Sequence, residues 1–293
     1  MGKRLASIAR SKSFLDWHKI KAFAADLEAQ RRAIIGLIAP TDPREAFELI
    51  WRLVDCADSV FARSDDSNGQ LSAVFHDAAG DLGPLAQAAG LDPADLARRA
   101  FRALCSDSYG QWQDLVPVLA PQLGGTGLRA LRKLLQAWQS EPVVTPPKHE
   151  RRVIGWSSSG EIYADTIEAS HRQSITAFAL KQIADALGDI DGYIAQFDAT
   201  SRKMPAVAAA IARRLLDAAR PQEAWDALET VEPGRRNRAI EWEEARIVVV
   251  KGDGLFVAAV LDLVERGGNV LQWGEEKVGG GRARELVNRS GTL

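Results

Sequence analysis

Four histidines and two cysteines are the residues from which a transition-metal site or a thiol nucleophile would be built. His18, His76, His149 and His171 are scattered along the chain, and neither Cys56 nor Cys105 sits beside one. There is no Cys-x-x-Cys and no His-Glu-x-x-His, so no metal ligand set is assigned. Asp65-Asp66-Ser67-Asn68-Gly69 has the oxygen chemistry of a calcium loop. An EF-hand loop opening at Asp65 needs glycine at its sixth position and glutamate at its twelfth, where this chain has Gln70 and His76. Opening at Asp66 gives Leu71 and Asp77, which fail in the same way. The stretch reads instead as a polar turn that stops one helix and caps the next.

Leu123-Gly124-Gly125-Thr126-Gly127 has the glycines of a phosphate cradle, but Leu128-Arg129 stand where a P-loop has lysine and a hydroxyl residue. It reads as a turn. Gly-x-Ser-x-Gly does not occur, and Trp156-Ser157-Ser158-Ser159-Gly160 reads as flexible chain. Asp189 and Asp191 sit in a turn, where pairing in sequence defines no cleft. No catalytic, metal or cofactor-binding residue is assigned, and no cofactor is expected. What remains is a local basic cluster, Arg235-Arg236-Asn237-Arg238, between Trp225 and Trp242. Arginines can contact phosphates and tryptophans anchor interfaces. Trp225, Arg235, Arg236, Arg238 and Trp242 are therefore the partner-contact candidates.

The composition narrows the class of protein. At 293 residues the chain has room for about two domains. Its 46% apolar and 26% charged residues are those of a globular chain with a sizeable core. A net charge of -2 gives no global attraction to nucleic acid or an anionic membrane. The basic start, MGKRLASIARSKSFLDW, has no apolar run of signal-peptide length, and no stretch reaches a membrane span. The expectation is a cytoplasmic protein with buried thiols and no membrane association.

The elements that would position any site are helices. Residues 1–12 read as frayed. Ser13 with Asp16 reads as the cap of a helix that carries Trp17, Ile20, Phe23, Leu27 and Ile34. Asp42-Pro43 announces a helix that is apolar around much of its circumference. One from Leu71 is expected to break at Gly83-Pro84, and Asp92-Pro93 opens another. A further helix starts near Tyr109, and Leu128 to Trp138 completes this half. Trp17, Trp51, Trp112, Trp138 and Trp225 fall at apolar positions and are assigned to the core. The stretch 141–165 holds prolines and serines and reads as a linker or crossover. A second helical set then leads to Met204–Pro233, two helices back to back about a turn that ends in Arg220-Pro221. The β-branched run at 247–250 beside Lys251-Gly252-Asp253-Gly254 suggests a strand hairpin, and glycine-rich sequence follows.

PQEAWDALETVEP, Pro221–Pro233, is similar to the second helix of a tetratricopeptide repeat. It departs from that pattern where glycine is usual, at Ala219. Together with SFLDW at Ser13–Trp17, the loop Asp65–Leu71 and ALGDIDGYIAQ at Ala186–Gln196, it resembles an uncharacterised bacterial family of helical-repeat proteins. The likeness covers roughly residues 13–246, and it implies two helical halves, the second tetratricopeptide-like. It carries no catalytic residue. Beyond Arg246 another helical unit would be expected, and the glycine-rich sequence there points to a divergent or frameshifted tail.

The fold expected is all-α: antiparallel helical hairpins stacked as a degenerate tetratricopeptide-like α-solenoid with an irregular C-terminal tail. The domains expected are 1–140 and 166–246, joined by 141–165 and followed by an atypical tail at 247–293. The function expected is a non-enzymatic protein–protein interaction or scaffold protein that takes an unknown protein or peptide partner in a helical groove. The alternatives are an accessory nucleic-acid-binding protein and an enzyme with a site assembled between helices.

Overall fold

The computed structural model describes residues 2–142, 145–158, 160–236 and 239–252. Arg238 and residues 253–293, which hold most of the expected glycine-rich tail, lie outside the described residues.

The stretch expected to fray is helical: α1 spans Gly2–Arg10. Leu5 and Ile8 lie one turn apart and are buried. Two apolar residues on one stripe suffice when a packing surface is ready to receive them. The Cys56 thiol donates to the Leu5 carbonyl at 3.5 Å. The segment after α1 is held by the Leu15 amide, which donates to the Arg63 carbonyl at 2.8 Å. α2 (Trp17–Ala33) is capped by Asp16 rather than Ser13, the carboxylate accepting the His18 and Lys19 amides at 3.1 and 3.2 Å. Trp17, expected in the core, is 62% exposed, because it precedes the buried stripe of Ile20, Ala24 and Leu27 and lies against His18. A π-helical turn, Ile34–Ile38, follows.

α3 (Pro43–Asp55) starts where Asp42-Pro43 predicts, with the Asp42 carboxylate accepting the Glu45 amide at 2.9 Å. Phe47, Leu49, Ile50, Trp51, Leu53 and Val54 are all buried, which makes it the centre of the first core. α4 (Ala57–Phe61) follows. α5 (Gln70–Ala88) is capped from the Asp65–Gly69 turn: Asp66 accepts the Leu71 and Ser72 amides at 3.0 and 2.9 Å. The break expected at Gly83-Pro84 does not occur. A proline inside a helix costs about 3 kcal/mol, and the flanking Leu82, Leu85 and Ala86 are buried and offset it. Gly83 has a separate role, since a Cβ there would stand 2.5 Å from the Val118 carbonyl.

α6 (Pro93–Cys105) is capped by Asp92, which accepts the Ala94 and Asp95 amides at 3.0 and 2.8 Å. The helix expected from Tyr109 starts later, at Leu115, and the expected glycine turn is a break at Gly124 (φ 53°, ψ -173°) between the two helical stretches that together make α7 (Leu115–Ser140). The stretch expected as linker contains an antiparallel hairpin, β1 (Val153–Ser157) and β2 (Gly160–Tyr163), with Trp156 opposite Glu161. α8 (Ala164–Ala186) packs along α7 and buries Thr176, Ala179, Leu180 and Ile183. The described residues gather into two compact units that divide between Tyr193 and Ile194, at the end of α9 (Ile190–Ile194). The helix expected to open the second half thus packs with the first unit.

In the second unit a short 3-10 turn, Ser201–Lys203, leads to α10 (Pro205–Asp217) and α11 (Pro221–Glu229). α12 (Pro233–Arg236) and α13 (Ile240–Gly252) follow, and α10 packs against both α11 and α13. α10 ends in a Schellman cap, with the Arg220 amide on the Leu215 carbonyl at 2.8 Å and the Ala219 amide on the Leu216 carbonyl at 2.9 Å. Ala219 takes the left-handed conformation, φ 56°, that glycine usually supplies. The strand expected at 247–250 is a correction: these residues continue α13, which Trp242 and Ala245 anchor in the core. Tertiary packing here overrides β-propensity.

Candidate functional site

A recess of about 510 Å³ opens between α5 and the turn at residues 107–114. Its aromatic lining is Phe61, Phe75 and Tyr109, with both Phe75 and Tyr109 5.4 Å from Phe61 between ring centroids. Ser72, His76, Gln111, Gln113 and Asp114 supply the polar rim.

The turn that forms one wall is braced by buried polar groups. The Asp107 carboxylate accepts the Gly110 amide at 2.8 Å and the Trp112 amide at 3.2 Å. Burial pushes this carboxyl above its ordinary range, against the pull of those amides. The Asp107 carbonyl lies 2.7 Å from His171 Nε2 on α8. Gln111 donates to Asp58 at 2.8 Å, and Gln182 donates to the Gln113 carbonyl at 2.9 Å. The wall is therefore fixed from α4 and from two places on α8. His76 Nδ1 and Asp114 Oδ2 are 3.7 Å apart on the rim, with side chains 68% and 41% exposed.

A second pair of recesses, about 310 and 280 Å³, shares Arg99 and Arg102 where α6 faces α3. Arg99 grips Glu48 through both guanidinium nitrogens at 2.5 and 3.0 Å and lies 4.2 Å over the Trp51 ring. In the second unit a recess of about 300 Å³ has Ile194, Ile211, Leu215 and Ala227 in its lining and Arg202, Glu223 and Asp226 beside them.

The partner-contact candidates from the sequence fall elsewhere. Trp242 is 1% exposed, and its indole Nε1 donates to the Leu228 carbonyl at 3.0 Å. Arg236 is buried, donating to the Val231 carbonyl at 2.7 Å and the Glu229 carbonyl at 2.9 Å, with the Glu229 carboxylate at 3.1 Å. Its guanidinium lies 5.3 Å over Trp242. The structure brings Arg236 and Trp242 together as an internal pair, so neither presents a surface to a partner. Trp225 is half-buried on α11, Arg235 is exposed with Glu232 3.6 Å away, and Arg238 lies outside the described residues. The α5 groove and the α6 cleft were missed by sequence reading. The one local signal was Arg98-Arg99-x-x-Arg102 along a helix, whose partners on α3 are about fifty residues away.

Among the described residues no group of three His, Cys, Asp or Glu side chains is placed to hold a metal ion, and no helix is long and apolar enough to cross a membrane. Cys56 and Cys105 are unpaired, and burial pushes each thiol up to about 11, away from nucleophilic use at neutral pH.

The fold and its recesses define a mostly helical protein with grooved surfaces. The chain belongs to a family of unknown function (DUF6880), whose model matches residues 1–254. No curated protein and no solved structure matches it significantly.

Proposed function

We propose that this chain is a non-enzymatic, cytoplasmic interaction protein that holds a segment of a partner protein in the groove beside α5. The observation that carries the reading is the aromatic lining of Phe61, Phe75 and Tyr109 beneath a rim of hydrogen-bonding side chains. A groove of about 510 Å³ falls in the range of pre-formed binding sites and accepts a large apolar side chain of a peptide. The bracing of its wall by Asp107, His171 and Gln182 lowers the ordering cost of binding. We read α10 and α11 as a degenerate tetratricopeptide-like hairpin, supported by their proline starts and by the packing of α10 on both α11 and α13.

A displayed peptide library panned against the full chain tests the reading. The expected result is enrichment of peptides with one aromatic or large aliphatic anchor. Tyr109→Ala should weaken their binding about tenfold, roughly 1.4 kcal/mol, with an unchanged helical melting curve. Enrichment without an anchor, or equal binding by Tyr109→Ala, contradicts it. The nucleic-acid alternative loses one arginine of its cluster to the internal pair with Glu229.

A further inference from the structure

We infer that the cleft between α3 and α6 is a docking site for an acidic peptide segment, with a carboxylate of that segment seated between Arg44 and Arg102. The inference adds a second contact to the partner-binding reading and rests on it. Arg44 and Arg102 line the larger recess, both are exposed, and neither guanidinium makes an ion pair among the described residues. Arg99 stands in the same recess already neutralised by Glu48 and held flat on Trp51. Two cations without partners therefore flank a rigid centre. A guanidinium matches a carboxylate with two parallel hydrogen bonds, and neither arginine has to break an ion pair to form them.

The surrounding charges select among anions. Glu48, Asp92 and Asp95 line the same recess, and Asp55 lines the adjoining one. A nucleic-acid backbone places a phosphate at every step and would meet these carboxylates as well as the arginines. A peptide alternates its charges with neutral residues and can offer amides or basic side chains to the acidic rim. Like-charge contact weighs most on a ligand that is anionic at every step, whereas a peptide can set its carboxylates at the two arginines and neutral residues at the acidic rim. Leu91, half-buried in the lining, gives the segment apolar contact beside its carboxylate.

The test is a peptide array of acidic, neutral and basic compositions probed with the full chain, followed by fluorescence titration of a short peptide of alternating Glu and Gln. The expected result is selective retention of acidic sequences that weakens with salt. Arg44→Gln and Arg102→Gln together should reduce affinity at least tenfold, with an unchanged melting curve. Tyr109→Ala should leave binding of the Glu–Gln peptide, which has no large apolar anchor, intact, and this separates the site from the α5 groove. If anchor peptides bind the α5 groove while acidic peptides show no preference or ignore the two arginine substitutions, the cleft proposal is overturned and the groove reading stands. Loss of anchor-peptide binding alone would remove the groove. Tighter binding of a single-stranded oligonucleotide than of the Glu–Gln peptide would also overturn the cleft proposal.

Discussion

Arg99 in the first unit and Arg236 in the second each lie over a buried tryptophan, and their surroundings differ. Arg236 lies over Trp242 with its side chain 7% exposed and its donors on two backbone carbonyls and Glu229. Arg99 lies over Trp51 with its side chain 25% exposed, tied to Glu48, at the edge of an open cleft beside Arg102. The first pair closes a core and the second shapes a surface. An arginine next to a tryptophan carries no functional meaning until the carbonyls around it are counted. Arg236 satisfies groups that would otherwise be buried without partners, and Arg99 holds a cation at a fixed place in front of solvent.

The comparison can be broken most forcefully at Trp242. Trp242→Ala removes a fully buried indole and its bond to Leu228, and should cost about 3–5 kcal/mol in urea denaturation. A loss under about 1 kcal/mol would mean that the second unit does not depend on this closure. In the first unit Gly83 lies against the backbone of α7, where a methyl group would meet the Val118 carbonyl. Gly83→Ala should destabilise by about 1–3 kcal/mol as α5 and α7 are forced apart; an unchanged midpoint would show that the crossing yields easily.

A smaller effect of opposite sign is expected at Ala219. The equivalent αL caps of the first unit are Gly90 and Gly188, whereas here an alanine holds φ 56°. Ala219→Gly should raise stability by about 0.5–1 kcal/mol, the relief of the left-handed strain less the extra backbone entropy of glycine. The smallest effect belongs to the open cleft. Asp55 is partly exposed there, yet burial of its carboxyl, opposed by Arg99 and reinforced by Asp58 and Glu48, pushes its pKa up to about 6. Because the folded pKa lies above the ordinary carboxylate value, the folded state holds the extra proton between about pH 4 and 6. Stability from this group therefore falls as pH rises through that window, and Asp55→Asn should flatten the slope there. An identical pH–melting profile for Asp55→Asn and wild type would show that the carboxyl is not so crowded.

What could be read from the sequence follows from how local each signal is. Asp42-Pro43 and Asp92-Pro93 start helices through contacts within three residues, and both caps form as expected. The apolar periodicity of α3 likewise marks the centre of the first core. Features set by distant partners were hidden. α1 folds because Leu5 and Ile8 find the Cys56 region, α5 continues through Pro84 because α7 packs on it, and 247–250 are helical because Trp242 anchors α13. The sites were hidden for the same reason. Arg44 and Arg102 are far apart in sequence and line one recess only through packing, while the conspicuous run at Arg235–Arg238 includes a cation that is spent internally.

The most direct test of this contrast is urea denaturation of Arg236→Gln and Arg99→Gln side by side. The account predicts a loss of about 2–3 kcal/mol for Arg236→Gln, from buried carbonyls left without donors, and about 1 kcal/mol or less for Arg99→Gln at the partly solvated cleft. Equal losses, or a larger one for Arg99→Gln, would contradict it.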